Sequence, residues 1–202
     1  MTRLTRAESQ ARTRAQLIET ATTVFLRDGY QASSLERVAE AAGYSRGAVY
    51  SNFRNKDELC VEVLSGIRAE RMAEIAAMVA ETTLDARLMR FEAWAERVIG
   101  DASWTRLELE FAAYASRDPD LRADLAQQLL QIVGLATAAI SATAGDAGLA
   151  LPIDPGELGV AVLSLGVGLG LFRSIEPSLP VSALINAVRA LVLTGSGQPS
   201  PP

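Results

Sequence analysis

Apolar residues along this chain return at intervals of three and four, the period of helices. Leu17, Ile18, Ala21, Val24 and Phe25 repeat at i, i+1, i+4, i+7 and i+8, which predicts an amphipathic helix from about Ser9 to Asp28, stopped by Gly29. Leu35, Val38, Ala39 and Ala42 form a second, shorter face. Gly43 closes it, because glycine enters the left-handed conformation without steric cost. Ser33 reads as the N-cap of this helix, with Glu36 completing a capping box. Ser45 then caps a third helix, on which Val49 and Phe53 point inward at i and i+4. Phe25, Leu35, Val38, Val49 and Phe53 are expected to meet in one small core. Leu59, Val63, Ile67, Ile75, Met78 and Val79 line a long fourth helix, about Lys56 to Glu81, with Asn55 as its cap. Such a helix spans on the order of 35 Å and is the expected lever between head and body.

The rest of the chain keeps the same period. Helices are predicted over Leu84–Ile99, Ser103–Ser116, Pro119–Thr143, Glu157–Ser174 and Val181–Leu193. Asp118 caps the helix that opens on Pro119, a residue suited to a first turn. Gly145, Gly148, Pro152 and Pro155 make the stretch from Asp146 to Pro155 a loop. No strand alternation and no internal repeat occur. The expectation is an all-α fold of about nine helices. A small three-helix domain with a helix-turn-helix over 9–56 precedes a larger helical domain for ligand binding and dimerisation over 57–195. A flexible basic arm, 1–8, and a disordered tail, 196–202 (SGQPSPP), flank them. Two readings of the arm stand: Arg3 and Arg6 reach a groove or phosphate, or the segment is a plain disordered terminus.

The outward face of the third helix is not a plain solvated surface. Arg46, Gly47, Ala48, Tyr50, Ser51 and Asn52 set a guanidinium, a phenol, a hydroxyl and an amide beside two residues small enough to allow close approach. A helix that enters the major groove needs such a thin N-terminus and such donors. Arg46 is a candidate for a guanine edge or for a phosphate. Charge supports this reading. The formal net charge of −5 argues against a nucleic-acid partner until it is divided. Residues 1–56 hold nine basic and five acidic side chains, a net +4, whereas 57–202 hold ten and nineteen, a net −9. A basic head on an acidic body presents one face to phosphates.

The run Gly29, Ser33, Val38-Ala39, Ala42-Gly43, Ser45-Arg46-Gly47, Tyr50, Phe53, Lys56, Leu59 resembles the DNA-binding domain of tetracycline-repressor-like (TetR family) transcriptional regulators. The likeness covers roughly Thr13 to Leu64, and several spacings agree at once. Members of that family commonly carry histidine where Asn52 stands; an amide still bonds a phosphate or a base. The resemblance implies phosphate contacts for Tyr50 and for Lys56, the one lysine of the chain. It completes a DNA-contact set of Ser33, Ser34, Arg46, Gly47, Ala48, Tyr50, Ser51, Asn52 and Lys56. It also implies that the last two helices pair with those of a second copy in a four-helix bundle.

The helix from Glu157 carries Gly159, Gly166, Gly168 and Gly170, which cost up to ~1 kcal/mol each against alanine. Close approach of another helix is the expected compensation. Leu158, Val162, Leu165, Gly166, Leu169, Phe172, Leu184 and Val188 are therefore the expected dimer interface. Twofold pairing also suits a palindromic DNA site. Two tryptophans, a tyrosine and two phenylalanines fall close together in the body. Phe91, Trp94, Val98, Trp104, Leu107, Phe111, Tyr114, Ile132 and Leu169 are the expected lining of an apolar ligand pocket, with Arg106, Glu108 or Glu110 as a charged anchor.

Other classes are disfavoured. Cys60 is the single cysteine, so no intrachain disulfide forms, and its apolar setting reads as a buried thiol. With no histidine, the usual zinc sites and His-dependent triads are excluded, and no enzyme, metal or cofactor is expected. The first fourteen residues lack the apolar core of a signal peptide. Leu125–Gly145 is too polar for a membrane span, and Leu158–Phe172 is short of the ~20 residues one requires. The expectation is a cytoplasmic, dimeric, ligand-responsive repressor that binds a palindromic operator in double-stranded DNA. The alternative is a helical carrier or sensor of hydrophobic ligands whose head binds protein.

Overall fold

The computed structural model describes residues 5–193, and within them nine α-helices and no strand. Arg3 and the tail 196–202, for which expectations were stated above, lie outside the described residues. The helices are α1 (Arg6–Asp28), α2 (Leu35–Ala42), α3 (Arg46–Tyr50), α4 (Lys56–Val79), α5 (Leu84–Val98), α6 (Ala102–Ala115), α7 (Pro119–Asp146), α8 (Pro155–Ile175) and α9 (Ser182–Leu193). The all-α reading holds, and Gly43 ends α2 at φ 71°, ψ 25° as the sequence requires.

Two starts differ from expectation. Helix α1 opens at Arg6, because Thr5 and Glu8 form a reciprocal capping box: the Glu8 amide donates to Thr5 Oγ1 (3.2 Å) and the Thr5 amide donates to Glu8 Oε2 (2.7 Å). Arg6 is therefore helical and not part of a free arm. Helix α2 takes Ser34 as its N-cap, accepting from the Arg37 amide at 3.2 Å. Ser33 is buried at 4% exposure and donates to the Gly29 carbonyl at 2.6 Å. The shift by one residue places Glu36 at the second helical position and removes it from any capping box.

The chain forms two compact units that are not consecutive in sequence. The head comprises the described residues up to Ala69 together with Arg106–Arg117; Glu70–Thr105 and the described residues from Asp118 onward form the body. The boundary read after residue 56 does not anticipate this interleaving. Helices α4 and α6 each contribute to both units.

The core of the head is Leu17, Ala21, Val24, Phe25, Leu35, Val38, Val49, Phe53, Leu59 and Leu64, joined by Leu107 and Phe111 of α6. Fully burying each large side chain contributes about 1.5–3 kcal/mol. Arg14 ties α1 to the turn between α3 and α4 and to α4 itself. Its guanidinium lies 4.3 Å from the Phe53 ring centre, donates to the Asn52 carbonyl (2.6 Å) and pairs with Glu62 (2.8 Å). Cys60 is buried beside this core, and desolvation pushes its thiol pKa well above the ordinary range, so it stays protonated.

In the body, Ala95, Ile99, Val181, Leu184 and Ile185 make a buried cluster with Phe91, Trp94, Leu169 and Val188 packed against it. Helix α7 packs along α8. A Cβ on Gly159 would stand 2.7 Å from Thr137 Oγ1, so that glycine admits α7 of the same chain. Gly166 and Gly168 face open space. Arg173 closes the far end, donating to the carbonyls of Ile99 (2.9 Å) and Leu179.

Helix α8 extends beyond the apolar run Leu158–Phe172 at both ends. At 21 residues it is long and apolar enough to cross a membrane, as is α7 at 28 residues, so length excludes neither. Glu157 and Arg173 sit within α8, and both helices leave large apolar side chains uncovered.

Candidate nucleic-acid interface

Helix α3 is one and a half turns long, and its placement depends on its flanks. Ser45 caps it by accepting from the Ala48 amide at 3.2 Å. Val49 is fully buried and anchors the inner side. Arg46 and Gly47 are then exposed at the N-terminal end, Ala48 is half-buried, and Tyr50 is 51% exposed. These four form an outward strip with a single cation, the thin leading edge required for groove entry.

Other members of the contact set are occupied inside the head. Ser33 is buried, so it offers no hydroxyl to a partner, and Ser34 is spent on capping. Ser51 Oγ donates to the Ala48 carbonyl (2.9 Å), and Asn52 Nδ2 donates to the same oxygen (2.7 Å). Lys56 turns inward. Its Nζ donates to the carbonyls of Tyr30 (3.0 Å) and Ser33 (3.1 Å) and sits 4.0 Å from the Tyr30 ring centre. A cation at a helix N-terminus opposes the dipole, and here it is compensated by two carbonyls and a ring face.

Tyr50 has a partner that the sequence did not reveal. Its hydroxyl donates to Glu36 Oε1 at 2.8 Å, a bond that joins α3 to the first turn of α2. The bond holds the Glu36 carboxyl below the usual carboxylate range and raises the Tyr50 phenol. The spacing Ser33 to Glu36 reads as a capping box, whereas the Ser34 cap leaves the Glu36 carboxylate available to Tyr50.

The segment between α1 and α2 is held by α6. Arg106 Nη2 donates to the carbonyls of Leu26 (3.0 Å) and Arg27 (2.7 Å), satisfying the exposed end of α1. Glu110 Oε2 accepts from the Gln31 amide at 3.1 Å. Phe111 meets Tyr30 edge-on with centroids 5.1 Å apart, and Tyr114 Oη donates to Asp57 Oδ2 at 3.4 Å. Tyr30 Oη donates to Asp57 Oδ1. The spacing 106, 110, 114 is one stripe of α6, a signal that the sequence does carry.

The expected pocket set does not share one place. Leu107, Phe111 and Tyr114 belong to the head, where the first two are fully buried. Phe91, Trp94, Val98, Trp104, Ile132 and Leu169 belong to the body. There Phe91 stacks on Trp94 at 5.8 Å, Trp94 Nε1 donates to Glu74 Oε2 (2.8 Å), and Arg71 covers Trp104 at 4.2 Å. The expected anchors also divide from that set: Arg106 and Glu110 serve the head as described, and Glu108 pairs with Arg68 at 3.1 Å.

The expected interface divides in a similar way. Leu158 and Leu184 are buried by their own chain, and Leu169 and Val188 pack on the body cluster. Val162 and Gly166 are half-buried. Leu165 and Phe172 are exposed, and the uncovered face of α8 continues through Val160, Val167, Leu171 and Ile175.

Comparison with known proteins follows the same division. The family model of bacterial regulatory proteins, tetR family, matches residues 17–63. The probable HTH-type transcriptional regulator ArpR of Pseudomonas putida is 39% identical over 85 residues, 42% of this chain and 40% of that protein. The chain thus spans less than half the length of that relative. Among solved structures, reduced Escherichia coli NemR superposes with a TM-score of 0.75 at 19% identity, covering 91% of this chain and 99% of NemR. AibR, in complex with isovaleryl coenzyme A and operator DNA, superposes with a TM-score of 0.61 at 16% identity, covering 91% and 99%. The solved structures share the fold, and the family-model match lies within the head. Through residues 17–63, the helix-turn-helix head of this chain is thus similar to the bacterial regulatory proteins of the tetR family.

Proposed function

We propose that this chain is a dimeric DNA-binding regulator that holds a palindromic operator and releases it when a small, largely apolar effector binds the body. The observation that carries the reading is the outward strip of α3. Val49 locks the helix from within while Arg46, Gly47, Ala48 and Tyr50 lie along its outer side. One such strip contacts too few base pairs to select a site, and two related by a twofold read a palindrome. The uncovered α8 face supplies the second copy's seat, since a run of large apolar side chains along a 21-residue helix calls for a partner. The aromatic side chains Phe91, Trp94 and Trp104, all in the body, support assigning the effector to that unit. AibR carries both an acyl-coenzyme A and operator DNA, which supports the same two-ligand logic here. The setting is the cytoplasm, where the DNA is.

An effector acts only through its differential affinity for the operator-competent and released states, so effector and operator weaken each other's binding reciprocally. The test is direct. The full-length chain is titrated onto a labelled duplex recovered from a random pool, with mass measured by light scattering. A dimer that binds duplex with salt-dependent affinity is expected; a monomer that retains no duplex from the pool would overturn the reading.

A further inference from the structure

We propose that Glu36 sets the hydrogen-bond polarity of Tyr50, making its phenol an acceptor for an amino-bearing base and not a donor to phosphate. The inference rests on the DNA-binding reading above and departs from the phosphate role that the family resemblance implies for Tyr50.

A phenol has one proton. In this structure it is committed to Glu36 Oε1 at 2.8 Å, between residues 14 apart in sequence. Phosphate oxygens can only accept, so a phenol held in this way has nothing to give them. What remains outward is the acceptor capacity of the Tyr50 oxygen. The major groove offers it two complementary donors, the N6 amino group of adenine and the N4 amino group of cytosine. The donors of Ser51 and Asn52 turn to the Ala48 carbonyl and Arg37 pairs with Asp28 at 3.1 Å, while Ser34 and the Arg46 charge also favour the Glu36 carboxylate, which keeps it ionised as the acceptor for the Tyr50 phenol. Glu36 has a second effect. It is half-buried on a surface otherwise fit for phosphates, and its negative charge opposes loosely placed DNA of any sequence. The same carboxylate thus holds Tyr50 for base reading and penalises binding without it, the two sides of selectivity.

Four full-length proteins decide the matter: wild type, Glu36→Ala, Glu36→Gln and Tyr50→Phe. Each is titrated on the duplex that the wild type selects from a random pool, on single-base variants of it, and on a scrambled duplex, at one fixed salt concentration. The wild type is expected to prefer adenine or cytosine at one position per half-site by roughly tenfold. Glu36→Ala frees the phenol proton, so that preference collapses and scrambled-duplex affinity rises, on the order of fivefold for the lost charge alone. Glu36→Gln keeps an acceptor oxygen for the phenol, so it gains on scrambled duplex yet retains the base preference. Tyr50→Phe loses the preference and leaves scrambled-duplex affinity unchanged. Equal weakening of selected and scrambled duplexes by Tyr50→Phe would return Tyr50 to a phosphate contact and overturn the inference. So would a Glu36→Gln protein as indifferent to base as Glu36→Ala. Either result leaves the DNA-binding reading intact, whereas a wild type that selects no duplex overturns both.

Discussion

The Lys56 ammonium lies 4.0 Å from the centre of the Tyr30 ring while it donates to the Tyr30 and Ser33 carbonyls. Those carbonyls belong to the segment joining α1 to α2, so Lys56 holds together the frame on which α3 is mounted. Replacing it by methionine keeps the stem and removes the charge. The expected cost is about 1–3 kcal/mol of stability, the range for charge-assisted bonds to buried acceptors. Thermal unfolding of the full chain measures this. The salt slope of DNA binding should hold. A slope reduced by about one counterion at unchanged stability would make Lys56 a phosphate contact.

Two groups in the head are held protonated, and both make it sensitive to alkali. Tyr30 is buried with its hydroxyl on Asp57, and desolvation with that bond raises its phenol above the ordinary 10.0. Burial raises the Cys60 thiol above the ordinary 9.0. In the unfolded chain these groups lose their protons near the ordinary values, while in the folded chain they keep them. The unfolded state then binds fewer protons, so stability falls as pH rises through about 9 to 11. Urea midpoints across that interval should decline for the wild type. They should decline less steeply for Tyr30→Phe and for Cys60→Ala, each already weaker at neutral pH. Equal slopes in all three proteins would show that neither group contributes.

Gly29 and Gly43 both end helices at positive φ, yet they are not equivalent. Gly43, at φ 71° and ψ 25°, is in the left-handed helical region with nothing within 4 Å of a Cβ. Gly29, at φ 83° and ψ 172°, is in a region essentially closed to other residues. A Cβ there would stand 2.8 Å from Glu110 Oε2, the oxygen that receives the Gln31 amide. Gly43→Ala should cost about 1 kcal/mol and Gly29→Ala about 3 kcal/mol in chemical denaturation. Equal losses would mean that the Glu110 contact carries no weight.

These contrasts show where sequence reading reached and where it stopped. The helix period placed nearly every element, because apolar faces must meet a core whatever the partner. Gly43 and Ser45 announced the turn through conformational demands that act over a few residues. Ser33 and Ser34 are adjacent candidates for one cap. Burial of Ser33 against the Gly29 carbonyl decides between them, and burial is a tertiary fact. Tyr30 shows the larger gap. Its ring partners Phe111 and Tyr114 lie some eighty residues on, and the apolar spacing of α6 reads the same whether it faces a ligand or the head. Helix α8 is apolar on nearly every side, so its period cannot tell which face its own chain covers.

That last ambiguity yields a paired test. Leu158 and Phe172 both looked like interface residues, yet Leu158 is fully buried within its own chain while Phe172 is 60% exposed. Leu158→Ala should open a cavity and cost about 2–5 kcal/mol, with the assembled mass in light scattering unchanged at concentrations where the chain stays folded. Phe172→Arg buries nothing new in a lone chain, but in an assembled pair it places an unpaired charge on the seat formed with Val167 and Ile175. It should shift the mass from twice that of one chain toward a single chain while far-ultraviolet circular dichroism still reports helix. DNA affinity should fall with it, since a lone α3 strip reads only half a site. If Phe172→Arg instead remains a full dimer with undiminished operator affinity, the second copy sits elsewhere, and the uncovered face of α8 needs another occupant.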